Sequence, residues 1–261
     1  MLPQLELDTS AAAELLTGFV RDEILRTGHS RAVIGLSGGV DSAVSAFLTA
    51  AALGPDNLFC VMMPYRTSSD NSLAHAQRVV EQLGIRSETV EITPMVDPLV
   101  ATDPSMSNVR RGNIMARTRM IVLYDRSVRE EGLVVGTGNK TETLLGYSTL
   151  FGDSACAINP LGDLYKTQVW ALARHLGVPD VIIDKAPSAD LWTGQTDEDE
   201  LGFSYSVADE ILYFMIDEGM DDAQLQKQGF DASLVKNVRH MVQRNEFKRL
   251  PSVIAKVHPA K

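Results

Sequence analysis

The run Val33-Ile34-Gly35-Leu36-Ser37-Gly38-Gly39-Val40-Asp41-Ser42 limits what this chain can become more than any other stretch. An apolar segment enters a Ser-Gly-Gly turn, and an acid opens the Ala-rich segment beyond it. That order reads as a strand, a phosphate-sized loop and the N-terminus of a helix. Glycine tolerates positive φ and lets backbone approach a ligand closely. The first amides of a helix have no internal partner and face whatever anion sits there. A carboxylate at Asp41 suits the helix dipole, yet beside a polyphosphate it repels unless a divalent cation bridges the two. The loop therefore asks for a nucleotide phosphate and magnesium together; the bland alternative is an ordinary strand-to-helix turn. It is not the G-x-x-x-x-G-K-[ST] loop, because it holds no Lys.

Bulk properties narrow the partners. With 261 residues and 44% hydrophobic content the chain reads as one globular α/β domain. A formal charge of −10 argues against a nucleic-acid partner, though a dinucleotide needs only a few local cations. No apolar run reaches the ~20 residues of a membrane span, and the start Met1-Leu2-Pro3 has no signal-peptide pattern, so a cytoplasmic location is expected. Cys60 and Cys156 form no C-x-x-C and read as small packing residues.

Taken in order, Thr9 to Arg26 places Ala12, Leu15, Leu16, Phe19 and Ile24 at helical spacing. A strand over 31–36 and a helix over 42–53 follow, the latter ended by Gly54-Pro55. The continuous apolar run 58–63 suits a strand buried on both faces. Residues 64–72 form a polar loop at that strand's C-terminal end, where open α/β sheets bind ligands; a plain connection is equally consistent. A helix over 73–83 and an edge strand over 87–92 complete an alternation that predicts a doubly wound, mostly parallel sheet with helices on both faces. A long helix over 106–130 carries Val109, Ala116, Met120 and Leu123 as its core stripe. Arg110, Asn113 and Arg117 share another of its faces, either as a solvated basic face or as a cationic patch for a ligand.

The next strand, 133–135, leads into Gly136-Thr137-Gly138-Asn139-Lys140-Thr141-Glu142, a second glycine-containing strand-to-helix junction with an acid. Glu142 is a favoured first-turn acid; beside Asp41 on a neighbouring strand end it becomes a second magnesium carboxylate. Lys166 opens a helix running to Leu176, where the dipole disfavours a cation unless an anion lies nearby. Residues 187–200 are a long polar stretch with a lone Trp192, expected to be a lid. Helices over 207–218, 222–228 and 232–243 make a helical C-terminal part of the single domain, 1–261.

Ser37-Gly38-Gly39-Val40-Asp41-Ser42 resembles the S-G-G-x-D-S signature of ATP pyrophosphatases, the PP-loop proteins, whose fold is adenine nucleotide alpha hydrolase-like. Together with Met115-Ala116-Arg117-Thr118-Arg119-Met120, Gly136 to Glu142, Gly162 to Thr167, Pro187 to Leu191 and Gly194 to Gly202, it makes residues 31–249 resemble an ammonia-dependent NAD synthetase. The resemblance implies amidation of deamido-NAD by ammonia, with ATP converted to AMP and pyrophosphate through an adenylated carboxylate. By position it implies that Gly35, Leu36, Ser37, Gly38, Gly39, Val40, Asp41 and Ser42 hold ATP, as do Thr137, Lys166 and Ser188. Asp41 and Glu142 would bind Mg²⁺, and Lys166 would neutralise charge at the transferring phosphoryl group. Arg117 and Lys248 would hold deamido-NAD, while Asp153 and Glu200 are candidates for the ammonium pocket. Segments 64–72 and 187–200 would be mobile loops that exclude water. A homodimer is implied, with no glutaminase domain in this chain.

Three positions depart from the common ammonia-dependent pattern: Leu150 stands for a Lys, Ala157 for an Asp, and Phe247 for the His of a His-Lys pair. All fall on the acid substrate's side. The same mechanism on a different carboxylic acid is therefore the alternative, and other PP-loop enzymes or a non-catalytic nucleotide module are weaker ones.

Overall fold

Leu58–Met62 (β2) is buried at every residue, as its unbroken apolar run requires of a strand covered on both faces. It pairs in parallel with Arg31–Gly35 (β1) on one side and Arg86–Thr89 (β3) on the other, and β1 pairs in parallel with Gly132–Val135 (β4). The computed structural model describes residues 2–192 and 194–257. Its sheet has the order β3-β2-β1-β4, so the doubly wound parallel expectation holds. A single bridge from Val135 to Ile158 extends the sheet beyond β4.

Thr9–Arg26 (α1), Val40–Leu53 (α2) and Asp70–Leu83 (α3) cover one face with Lys166–Leu176, and Asn108–Arg129 covers the other. Nearly every side chain of α2 from Ser42 to Ala50 is buried, because it lies between the sheet, α1 and the Lys166 helix. The stripe of α1 is Ala13, Val20 and Ile24, with Leu16 packed beside it; Leu15 points to solvent, which corrects the expected phase by one residue.

Thr93–Val100 (α4) was not visible as a helix in the sequence, since Pro94 and Pro98 interrupt its pattern. Pro94 sits in the first turn, where its missing N–H costs nothing. In Asn108–Arg129 (α5), Met115, Ala116 and Val122 are buried, whereas Val109 is 64% exposed. Leu123 packs against the core cluster of Val33, Phe59, Val61 and Val122 as expected, and both it and Met120 also line a cavity.

Lys140–Leu145 (α6) and Lys166–Leu176 (α7) precede two short helices, Asp180–Ile183 (α8) and Asp197–Leu201 (α9). Then come Tyr205–Leu212 (α10), a wider π-type turn at Tyr213–Asp217, Asp222–Lys227 (α11) and Ala232–Arg244 (α12). The helix expected over 207–218 thus ends in that turn, which lets Asp217 accept from Lys140 Nζ at 2.9 Å and from the Tyr165 hydroxyl at 2.9 Å. The C-terminal helices build a second apolar cluster around Leu145, Tyr205, Leu212 and Val238, with Trp170 packed against both clusters. No described helix is long and apolar enough to cross a membrane.

Candidate active site

Strand order reverses between β1 and β4, and ligands of open α/β sheets bind outside the strand ends at such a point. The Ser37 loop leaves β1 and the Gly136 loop leaves β4, so both glycine junctions open into one cavity of about 560 Å³. Gly38 has φ +76, and a Cβ there would stand 2.0 Å from the Ser72 carbonyl oxygen. Only glycine fits that turn. The hydroxyls of Ser37 and Ser42 lie 3.1 Å apart, and the Ser42 hydroxyl donates to Gly39 O at 3.0 Å, so the loop is tied from within. Gly39 caps α2 without a side-chain hydrogen bond, which leaves the first amides of the helix facing the cavity.

Asp41 and Glu142 meet around one ammonium group. Lys166 Nζ lies 2.5 Å from Asp41 Oδ2 and 3.3 Å from Glu142 Oε1, with the lysine only 2% exposed and both carboxylates 18% exposed. The anion that the first-turn position of Lys166 called for is therefore present twice. Asn139 completes the junction: its Nδ2 donates to Asp41 Oδ1 at 2.9 Å, and its Oδ1 accepts the Glu142 N–H at 2.9 Å. Burial opposes charge on Lys166, but Asp41 and Glu142 outweigh it and hold the ammonium above its ordinary range. Burial drives the Glu142 carboxyl up to about 8, against the pull of Lys166. A buried carboxylate held this high is short of positive charge, and two hard oxygen donors fit a magnesium ion that takes its other ligands from phosphate and water. Behind them Asp209, fully buried, accepts the Thr141 hydroxyl at 2.6 Å and the Thr167 N–H at 2.8 Å, which locks the start of α7 against α6.

The other expected residues divide. Thr137, Ser188, Asp153 and Glu200 all line the cavity. Asp153 Oδ1 accepts the Thr149 N–H at 2.8 Å, while Glu200 Oε2 accepts from the Tyr147 hydroxyl and from Gln195 Nε2. Lys248 also reaches the cavity, but its Nζ donates to Gly146 O at 2.6 Å and Ser148 O at 2.8 Å, where it closes the C-terminus of α6. Arg117 faces a separate hollow of about 330 Å³ together with Arg110 and Asn113, and its guanidinium donates to Leu150 O at 3.2 Å. Arg110 and Arg117 are exposed on that face, and Arg110 pairs with Asp103 at 2.6 Å. Leu150, Ala157 and Phe247 do not line the main cavity.

Segments 64–72 and 187–200 border the cavity from opposite sides and touch each other. Asp190 Oδ2 accepts the Ser69 N–H at 3.0 Å. Leu191 packs with Tyr65, Val96 and Met115, and a Cβ on Gly112 would come within 2.8 Å of it. Asp190 and Phe151 both hold positive φ, 51 and 59, where a non-glycine residue is strained.

Sequence reading missed Asn139, although the Asn139-Lys140-Thr141-Glu142 spacing is a capping box and could have marked it. It also missed Asp197, which accepts the hydroxyls of Tyr147 at 3.1 Å and Tyr205 at 3.0 Å within α9. Nothing in an acidic run of four separates the buried acid from its solvated neighbours. Arg119, in the cavity wall, donates to Met63 O at 3.1 Å.

A parallel sheet that places a Ser-Gly-Gly loop, two carboxylates and a buried lysine at its switch point defines a nucleotide-binding protein of the PP-loop α/β class. Residues 12–252 match the NAD synthase family, and the chain belongs to it. It is 54% identical over 258 residues to the NH(3)-dependent NAD(+) synthetase of Chlorobaculum parvum, covering 98% of this chain and 93% of that one. Among solved structures it is similar to the NMN synthetase of Francisella tularensis, with 33% identity, TM-score 0.85 and coverage of 96% and 99%. The NH3-dependent NAD synthetase of Campylobacter jejuni is similar at 34% identity, TM-score 0.83 and coverage of 96% and 100%.

Proposed function

We propose that this chain is an ammonia-dependent NAD synthetase that adenylates the carboxylate of deamido-NAD with ATP and then amidates it. The observation that carries this reading is the ion cluster of Asp41, Lys166 and Glu142 beside the Ser37–Ser42 loop. A carboxylate is a poor acylating agent, so its oxygen attacks the α-phosphorus of ATP and the bond to pyrophosphate breaks. Ammonia then attacks the acyl carbon, AMP leaves, and the extra proton passes to a base. In this reading Gly35 to Ser42 cradle the phosphates through backbone N–H groups, and Lys166 offsets the charge that grows on the α-phosphoryl group. Thr137 and Ser188 contact ATP, and Arg117 and Lys248 serve deamido-NAD.

Asp41 and Glu142 would hold Mg²⁺, which supplies charge neutralisation of the departing pyrophosphate. Asp153 and Glu200 are the groups placed to take a proton from ammonium. The reading includes a cytoplasmic location, where ATP is supplied, and a homodimer. The dimer is supported by Ile121, Tyr124 and Val128, which stand exposed along α5 next to Arg117.

The test measures AMP, pyrophosphate and amide product with ammonium and magnesium, offering deamido-NAD, nicotinate mononucleotide and simple acids in parallel. Deamido-NAD is expected to give the highest kcat/KM, and turnover is expected to stop without magnesium. The mononucleotide is the informative competitor, because the Francisella tularensis chain of like fold carries the name NMN synthetase. Equal or better use of it would overturn the assignment of substrate.

A further inference from the structure

Four cations, Lys166, Lys185, Arg119 and Lys248, stand in the wall of the main cavity. Three of them are engaged. Lys166 is neutralised by two carboxylates, Lys248 is spent on two carbonyls, and Arg119 is turned to Met63 O. Like Arg119 and Lys248, Lys185 has no carboxylate within ion-pair reach among the described residues, and its place sets it apart: its Nζ donates at 2.8 Å to the hydroxyl of Ser72, the residue that abuts Gly38. An ammonium has three donors, so two remain for a ligand.

Its position is set by the loop that defines the site. Ser72 is buried, and its carbonyl is the group that abuts Gly38. Lys185 is therefore held one residue's width from the Ser-Gly-Gly turn. Burial and the charges of Lys185 and Arg78 hold the His75 imidazole below its ordinary range. Lys185 arrives there on the segment after α8, far from the turn in sequence, which is why the turn itself needs no lysine.

We propose that Lys185 is the cation that receives the outer phosphates of ATP and holds the pyrophosphate group as it leaves. This rests on the reading of Ser37–Ser42 as the pyrophosphate loop. The logic is one of charge: the cluster of Asp41, Glu142 and Lys166 carries more negative than positive groups, so it cannot by itself balance a polyphosphate. The Lys185 ammonium, held beside the turn by Ser72, supplies charge-assisted hydrogen bonds there. The Ser72 hydroxyl fixes the aim of Lys185 without cancelling its charge.

Titration of the full-length protein with inorganic pyrophosphate and, separately, with AMP tests this, both in the presence of magnesium. Lys185→Met and Lys185→Gln are expected to weaken pyrophosphate about 10- to 100-fold and to raise its product-inhibition constant in parallel. AMP affinity is expected to stay unchanged, and Lys185→Arg to retain pyrophosphate within about threefold. The Gln variant keeps a donor for Ser72, so it separates lost charge from lost packing if the Met variant fails to fold. Unaltered pyrophosphate affinity in the Gln variant overturns the role of Lys185. Failure of the parent protein to bind pyrophosphate overturns the loop reading and this proposal together, a different and recognisable outcome.

Discussion

Asp190 joins the two segments that cover the cavity: its carboxylate accepts the backbone N–H of Ser69 at 3.0 Å. Asp190 makes this bond from a positive φ of 51, a strained angle for a non-glycine residue. If the pair keeps water from the adenylate, Asp190→Ala leaves the intermediate open to hydrolysis. The ratio of AMP released to NAD formed is then expected to rise above one, with a modest increase in the KM for ATP. A ratio that stays at one would remove any role for this link in excluding water.

Lys166 and Glu142 test the ion cluster in opposite ways. Glu142→Gln removes charge from the phosphate side and is expected to lower kcat about 10²-fold, with little change in fold stability. Lys166→Met removes the cation paired with both inward carboxylates and is expected to cost about 3 kcal/mol of stability as well as activity. Thermal melts and single-turnover AMP formation on the two variants separate these effects.

His75 predicts a pH effect on stability. Burial, then Lys185 and Arg78, hold its imidazole below the ordinary 6.5. The folded chain therefore binds this proton less readily than the unfolded chain. Stability from neutral His75 is present above 6.5 and is lost as pH falls toward the lowered value. Melting temperatures of the parent are expected to fall between about pH 7.5 and pH 5. His75→Gln is expected to flatten part of that slope. An identical slope in both proteins would contradict the assignment.

Along α5, Ile121 and Val128 are solvent-exposed at one-sided spacing, with Arg117 in the same stripe. Val128→Glu is expected to shift the protein from dimer to monomer in light scattering and to raise the KM for deamido-NAD more than that for ATP. A monomeric parent would refute the dimer.

Much of this was legible before any coordinates. The strand-loop-helix order around Ser37 and the second junction at Glu142 gave both carboxylates, because glycines and acids at strand ends carry their chemistry locally. What stayed hidden depended on distance in the chain. Asn139 and Asp41 are 98 residues apart, and no spacing rule reports that one bonds the other. Likewise the two hydrogen bonds from Lys248 to the Gly146 and Ser148 carbonyls span about a hundred residues, and no local pattern announces them. Helix α4 was lost to its two prolines, and in α5 the expected stripe holds at Ala116 and Leu123 but fails at Val109, which is exposed.

The strand order has a further consequence for the chain as it is made. β1 gains β2 as a neighbour soon after it emerges, but its other edge waits for β4, on the far side of α5. At ~5–20 residues per second of synthesis, Ala32, Val33 and Ile34 spend seconds as an open apolar strand edge. Such an edge is a template for pairing with other chains. The switch point is thus the last part of the β1–β4 sheet to be assembled, and the two loops that frame the cavity come together only once this apolar edge has been covered.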